Sequence, residues 1–182
     1  MACPMAGGWP ISGYPGAMTI DRACGSCGLC CKLMRIEEID KPENRWCPHY
    51  SQGCGCGIYQ TRPTECGTFV CGWLVDEKLD ERWKPTTARF FLWQPAGPRR
   101  LVVEVDPAFP QAWRKEPYYS AIKAWSNRNR PGAAELIVKV GQRVTMIFPE
   151  RDIELGILQP EGTIKSGYRM QDGAYQPYAH FV

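Results

Sequence analysis

The chain has 182 residues, of which 44% are hydrophobic and 23% are charged, as in ordinary soluble globular proteins. That length suffices for one globular domain or for a small metal-binding module joined to a compact partner. Its 22 basic and 19 acidic residues leave a net charge of only +3. So weak a charge gives no electrostatic reason to expect nucleic acid or an acidic membrane as a partner.

The first 21 residues predict a flexible leader. They hold no Lys or Arg and contain three prolines, so they lack both the basic and the apolar region of a secretory signal. Nowhere in the chain does an apolar run approach the ~18 residues that span a bilayer. We therefore expect a cytoplasmic protein without a membrane segment.

Nine of the ten cysteines lie in a segment rich in Gly and Pro, residues 22–74. In the reducing cytosol such a density indicates metal binding or redox chemistry. The segment has no periodic apolar pattern from which to build a core, and short segments of this kind are usually stabilised by metal or by disulfides. The sequence therefore predicts a metal-stabilised module here.

Residues 75–182 have a different character and predict an α+β domain. The runs 89–94 (RFFLWQ) and 101–106 (LVVEVD) are rich in aromatic and β-branched residues and flank a connection that contains Pro and Gly. This pattern is typical of a strand pair.

One main helix is predicted after Pro117. The apolar residues Tyr118, Ile122 and Trp125 recur at helical spacing, which predicts a helix of about 12 residues that ends near Pro131-Gly132 and packs on the sheet.

A second hairpin is predicted from residues 135–140 and 143–148, which flank Gly141-Gln142, a pair suited to a type II′ turn. One or two short strands follow, at 153–158 and 163–169. The predicted fold is therefore α+β, with a small Cys-rich, metal-stabilised module packed on an antiparallel β-sheet unit with one main helix.

Four motifs supply the candidate metal ligands: CGSCGLCC, WCPHY, GCGCGIY and RPTECGTFVCGWL. A Cys-x2-Cys turn can direct two thiolates at one ion. Cys30 and Cys31 are adjacent and cannot easily serve one ion in the same geometry, which indicates more than one metal or a bridging thiolate. The candidate ligands are Cys24, Cys27, Cys30, Cys31, Cys47, His49, Cys54, Cys56, Cys66 and Cys71. Cys3 lies outside the cluster and is left out.

Thiolate ligands suit zinc, iron–sulfur clusters and Cu(I), so the metal stays open. Closed tetrahedra of cysteines are typical of structural zinc. Conversely, the spacing of Cys24, Cys27 and Cys30 matches part of a bacterial ferredoxin run, and Cys47-Pro48 resembles the Cys-Pro step of that run. Zinc is slightly favoured over iron, which could be present as an iron–sulfur cluster.

The motifs CGSCGLCC, WCPHY and GCGIYQTRPTECGTFVCGWL together resemble a bacterial family of zinc- or iron-chelating domains, the cysteine-cluster proteins. The resemblance covers residues 24–74. It implies metal chelation through Cys24, Cys27, Cys30, Cys31, Cys47, Cys56, Cys66 and Cys71. The chain departs from the commoner pattern at Gly67, where Arg often follows the cysteine, and in having the extra Cys54.

Arg62 and Tyr59 are candidates for binding a cofactor or an anionic substrate beside the metal, because a guanidinium offers a bidentate fork. The alternative is that Arg62 binds backbone carbonyls while Tyr59 packs against a turn.

Two functions remain open. The first is a metal-binding protein with a structural or metal-handling role, whose partner is an unidentified protein or small molecule. The second is an iron–sulfur or metal-dependent enzyme that performs redox or group-transfer chemistry. The sequence has no Ser/His/Asp set, P-loop or GxGxxG motif, so an enzyme here would have to use the metal itself.

Overall fold

The computed structural model describes residues 22–95, 99–127, 134–159 and 162–182. The predicted leader and the predicted helix end near Pro131-Gly132 lie outside these ranges. The cysteine segment consists of short elements joined by turns: helices α1 (Leu29–Leu33), α2 (Thr64–Thr68) and α3 (Gly72–Val75), and strands β1 (Tyr50–Ser51) and β2 (Gly55–Cys56). A further short helix, α4 (Pro85–Ala88), leads into the central sheet.

A five-stranded mixed sheet forms the centre of the fold. Its two predicted hairpins are confirmed, because Phe90 lies opposite Val105 and Val140 lies opposite Arg143 in antiparallel register. Gly141 has a φ of 59°, which the first central position of a type II′ turn requires. In spatial order the strands are β3 (Phe90–Trp93), β4 (Arg100–Val105), β5 (Glu135–Val140), β6 (Arg143–Ile147) and β7 (Asp152–Ile157).

The prediction of an antiparallel sheet is wrong at the pair β4–β5, which is parallel. Parallel neighbours need a crossover connection, and here that connection contains the main helix, α5 (Tyr118–Trp125). The helix has eight residues instead of about 12. Ser126 closes its last turn, since its backbone N–H donates to the carbonyl of Ile122 at 3.1 Å and its hydroxyl donates to that of Lys123 at 2.8 Å.

A separate hairpin of β8 (Ile164–Gln171) and β9 (Ala174–Phe181) ends the chain. The predicted strand at 163–169 corresponds approximately to β8, whereas β9 was not predicted. Asp172 and Gly173 both have positive φ, as a type I′ turn requires, and an Asp-Gly pair is a strong hairpin signal. Pro177 weakens the strand pattern of β9, because proline cannot donate to a ladder.

The central sheet is buried on both faces, which explains its nearly continuous apolar runs. On β4, Val103 and Val105 belong to the main hydrophobic cluster, whereas Val102 belongs to a smaller cluster that packs against residues of β8 and β9. Alternate residues of a strand point to opposite faces, so both clusters draw on the same strands.

The cysteine segment shares the main cluster with the sheet. Leu29, Leu33 and Trp73 are buried in the same cluster as Phe91 and Val103. The sequence pattern of this segment predicts no core of its own, and in the structure its apolar residues use the core of the sheet. Among the described residues, no helix has the length and apolar character needed to cross a membrane.

We predict that Gly72→Ala destabilises the protein by about 1–3 kcal/mol, the usual cost of overpacking. A Cβ at Gly72 would lie 2.9 Å from Cβ of Leu92 and 3.1 Å from its carbonyl oxygen, so α3 would have to move away from β3. Urea denaturation measures the change. Gly67→Ala is the control, because nothing lies within 4 Å of its Cβ position and alanine favours a helix by up to ~1 kcal/mol. Equal effects of the two substitutions would contradict this packing.

Candidate metal centre

The first motif forms a turn followed by a helix. The backbone N–H of Cys27 donates to the carbonyl of Cys24 at 2.9 Å, and Gly25 takes the positive φ of 56° within this turn. Helix α1 then presents Cys30 and Cys31. Gly28 lies against the ring of Tyr50 so closely that a Cβ there would be 1.9 Å from a ring carbon.

The second and third motifs are held against the first by backbone contacts. The N–H of Cys47 donates to the carbonyl of Cys31 at 3.0 Å. Cys56 lies on β2 opposite Tyr50 on β1. A Cβ at Gly55 would lie 2.8 Å from the carbonyl oxygen of Gly25, which shows how closely the two loops approach. The fourth motif places Cys66 on α2 and Cys71 at the N-terminus of α3.

One cavity of about 270 Å³ brings these motifs together. All nine cysteines from Cys24 to Cys71 line it, although they come from four separate parts of the segment. The lining also includes apolar side chains, among them Met34, Phe69 and Phe91. The structure therefore gathers every predicted cysteine ligand around one space with largely apolar walls.

Eight of these cysteines are free thiols, and they are the same eight that the family resemblance implies: Cys24, Cys27, Cys30, Cys31, Cys47, Cys56, Cys66 and Cys71. Cys54 lines the cavity but is not among the eight. His49 is not among the residues that line the cavity. Its backbone carbonyl accepts a hydrogen bond from Gly57 N–H at 2.8 Å.

The thiols are neighbours but are not arranged as ligands. Within the described residues, no group of three or more His, Cys, Asp or Glu side chains could hold a metal ion as it stands. The donor set therefore fits a soft metal by its chemistry and its common cavity, whereas coordination requires the thiols to turn toward the ion.

Burial and mutual proximity keep most of these thiols protonated. Burial raises the pKa of Cys24 to about 11, with further increases from the charges of Cys27 and Cys31. Burial also raises the pKa of Cys66 to about 11 and that of Cys71 to about 12. Desolvation disfavours the thiolate, and each neighbouring thiolate disfavours the next.

Cys31 behaves in the opposite way. A hydrogen bond from the thiol of Cys30 lowers the pKa of Cys31 to about 7 in spite of its burial, and the positive charge of Lys41 lowers it further. The same hydrogen bond raises the pKa of Cys30, which retains its proton. The pair therefore holds one thiolate and one thiol near neutral pH.

Arg62 and Tyr59 both line the cavity and contact each other. The guanidinium of Arg62 lies 4.1 Å from the centre of the Tyr59 ring and donates to the carbonyls of Tyr59 at 2.8 Å and Cys66 at 3.4 Å. These contacts are those of the structural alternative, in which Arg62 binds backbone carbonyls. Binding of a cofactor or substrate by these two residues stays a prediction.

Lys41 lies near the cysteines although no sequence pattern predicts it, and it is only 2% exposed. Its ammonium donates to the carbonyl of Lys32 at 2.9 Å and to that of Met34, at the C-terminal end of α1. No spacing rule marks such a lysine, because its burial results from the turn that brings residue 41 back beside Ile36.

Comparisons with known protein families, with curated proteins and with solved structures find no match for this chain. The resemblance of the motifs to the cysteine-cluster proteins therefore stays a prediction.

We predict that Cys31 is the most reactive thiol of the metal-free protein. At pH 7.5 a thiol with a pKa of about 7 is mostly thiolate, whereas Cys24, Cys66 and Cys71 stay protonated. Iodoacetamide should modify Cys31 at least about tenfold faster than these three, even though a thiolate of lower pKa is a weaker nucleophile.

Mass spectrometry of the modified peptides measures these rates. Lowering the pH to 6.5 should slow Cys31 only about threefold, because the change spans its pKa, and should slow the other thiols about tenfold. Uniform rates across the four cysteines would contradict the prediction.

Proposed function

We propose that this protein binds zinc or iron through its eight free thiols and has a structural or metal-handling role. The observation that carries the proposal is the convergence of eight free thiols, from four separate motifs, on one cavity. Zinc and iron–sulfur centres are both bound by thiolates. Hard ions such as Mg²⁺ and Ca²⁺ are bound by carboxylate and carbonyl oxygens instead.

The ionisation of the thiols supports this proposal. Crowding and burial make the simultaneous charging of several thiols unfavourable in the metal-free protein. A bound cation removes this penalty, since it replaces the protons and attracts the thiolates that otherwise repel one another. Metal binding and loss of several protons are therefore expected to be one coupled process.

The size of the cavity supports more than one ion. Its volume is about 270 Å³, whereas roughly 10–15 Å³ of the same kind of space is enough for one water molecule. Eight thiols also provide two complete sets of four, which is the usual ligand number of a structural zinc site. Two zinc ions are the first candidate content.

An iron–sulfur cluster is the second candidate content, which would make the protein a redox protein or enzyme. The observation in its favour is the same large cavity, because a cluster of several irons and sulfides needs more space than one ion. Such a cluster exchanges electrons, whereas zinc has no redox states and would hold the cysteine segment in place.

We predict that at least one metal ion per chain copurifies with the protein under anaerobic conditions, and that this metal is zinc. Elemental analysis and an absorption spectrum test this together. Zinc-loaded protein should be colourless and should not respond to dithionite. Brown protein that contains iron and acid-labile sulfide and bleaches on reduction would show that the centre is an iron–sulfur cluster and not zinc. Metal-free yet fully folded protein would overturn the proposed function.

We also predict that Cys27→Ser or Cys66→Ser lowers both metal content and thermal stability, because each removes a thiolate from the cavity. Cys3→Ser is the matched control, since Cys3 is the one cysteine outside the cluster. Elemental analysis and thermal unfolding are measured on all three variants. Equal metal content and equal melting temperatures across the three variants would show that the cavity cysteines are not ligands.

A further inference from the structure

The hairpin of β8 and β9 has two different faces. Ile164, Ala179 and Phe181 pack against the smaller hydrophobic cluster of the sheet. Because alternate residues of a strand point to opposite faces, the residues between these point away from the sheet. This outward face consists of Lys165, Gly167, Arg169 and Gln171 of β8 and of Ala174, Gln176, Tyr178 and His180 of β9. None of them belongs to either hydrophobic cluster, so a role in the core does not explain their identity.

The outward face carries positive charge and no acidic residue. Lys165 and Arg169 are exposed, and so is His180, which lies opposite Lys165 in the register. The only acidic residue of the hairpin, Asp172, lies in the turn between the strands. Within the part of the chain that the structure describes, no carboxylate forms an ion pair with Lys165 or Arg169. The net charge of +3 conceals this local asymmetry, because it is a sum over all faces of the protein.

Tyr178 supplies an aromatic ring that lies across the centre of the outward face. Its partner in the register is Gly167, where a Cβ would lie 3.2 Å from the Tyr178 hydroxyl oxygen and 3.3 and 3.4 Å from two ring carbons. These nearly equal distances show that one side of the ring covers the glycine, so the other side points away from the hairpin. The ring of His180 lies 5.9 Å from that of Tyr178 between centres, with 26° between the planes. The guanidinium of Arg169 also lies 5.9 Å from the centre of the Tyr178 ring.

We propose that the outward face binds single-stranded nucleic acid. Bases would stack on the rings of Tyr178 and His180, and phosphates would lie beside the two cations. In the register, Tyr178 lies midway between the pairs that contain Lys165 and Arg169, which are about 13 Å apart along β8. Rings therefore lie between cations along the face, a combination typical of proteins that bind single strands. This inference is independent of the proposed metal binding.

The combination of rings and cations identifies the partner. Exposed cations alone would fit any polyanion, including an acidic protein segment or an anionic lipid surface. Stacking distinguishes a single strand, because its bases expose flat aromatic surfaces that match the ring of Tyr178. Gln171 and Gln176 add neutral donors and acceptors, which suit the edges of bases. A single-stranded nucleic acid is therefore the partner that uses the whole face.

Fluorescence anisotropy of the full-length protein with a fluorescein-labelled oligo(dT) of about 12 nucleotides tests the proposal. The logarithm of the binding constant should fall with the logarithm of the salt concentration with a slope of about −1.4, because each of two phosphates contributes about −0.7. An abasic strand of the same length keeps the phosphates and lacks the bases, so it should bind about 5–100-fold more weakly. The proposal is overturned if the oligonucleotide does not bind at low salt. Equally tight binding of the abasic strand, of polyglutamate or of anionic phospholipid vesicles would also overturn it.

Substitutions on the outward face separate charge from stacking. Lys165→Gln should weaken binding and reduce the steepness of the salt dependence by about 0.7. Tyr178→Leu keeps an apolar cover over Gly167, and it should weaken binding about 5–100-fold without changing the salt dependence. Lys78→Gln is the matched control, since it removes an exposed charge from the segment between α3 and α4. Equal effects of Lys165→Gln and Lys78→Gln would show that the outward face is not the binding site.

Photocrosslinking of the wild-type protein locates the contact even if Tyr178→Leu does not fold. An oligonucleotide that carries 5-iodouracil should crosslink to Tyr178 or His180, because the excited base reacts with an aromatic ring on which it stacks. Peptide mapping by mass spectrometry identifies the modified residue. Crosslinks confined to residues outside the β8–β9 hairpin, or the absence of any crosslink, would contradict the proposal.

Discussion

The position of α1 on the sheet is the contact on which the rest of the cysteine segment depends. Leu29 and Leu33 are buried in the main cluster, and the ammonium of Lys32 lies 2.6 Å from the carboxylate of Asp106, which follows β4. A five-residue helix is too short to be stable by itself, so α1 exists because the sheet supports it. The same helix carries Cys30 and Cys31, and the sheet therefore determines where the thiols lie.

Electrostatics then limits what the thiols can do. Burial and proximity raise the pKa of Cys24, Cys66 and Cys71, so that the metal-free protein holds its cysteines mostly as neutral thiols. The Cys30–Cys31 pair eases this restriction for Cys31, because the thiol of Cys30 donates a hydrogen bond to it. Any ion that binds must displace protons, which makes its affinity depend on pH. Positive charge near the cavity, such as that of Lys41, acts in the same direction as the ion.

Sequence reasoning predicted the features that follow from local pattern. The hairpin of β5 and β6 follows from alternating apolar runs around Gly141, and the nine cysteines that line one cavity follow from their spacing. The parallel pairing of β4 with β5 depends on contacts distant in sequence, which no local pattern contains. The burial of Lys41 results from a local turn that brings it back beside Ile36, and no spacing rule marks such a lysine. The absence of His49 from the cavity is of the same kind, since nearness to Cys47 in sequence does not determine side-chain direction.

Because the cysteine segment shares the core of the sheet, its composition alone does not require that a metal replace a core. A segment poor in apolar residues predicts that metal replaces the core, yet here Leu29, Leu33 and Trp73 use the core of the sheet. Packing therefore supports the part of the segment that contains Cys27, Cys30 and Cys71 even before an ion binds. Cys47 and Cys56 lie instead in a region held by two-residue strands and turns, where little apolar surface is buried. A bound metal would contribute most to the order of the region around Cys47 and Cys56, because packing contributes least to its stability.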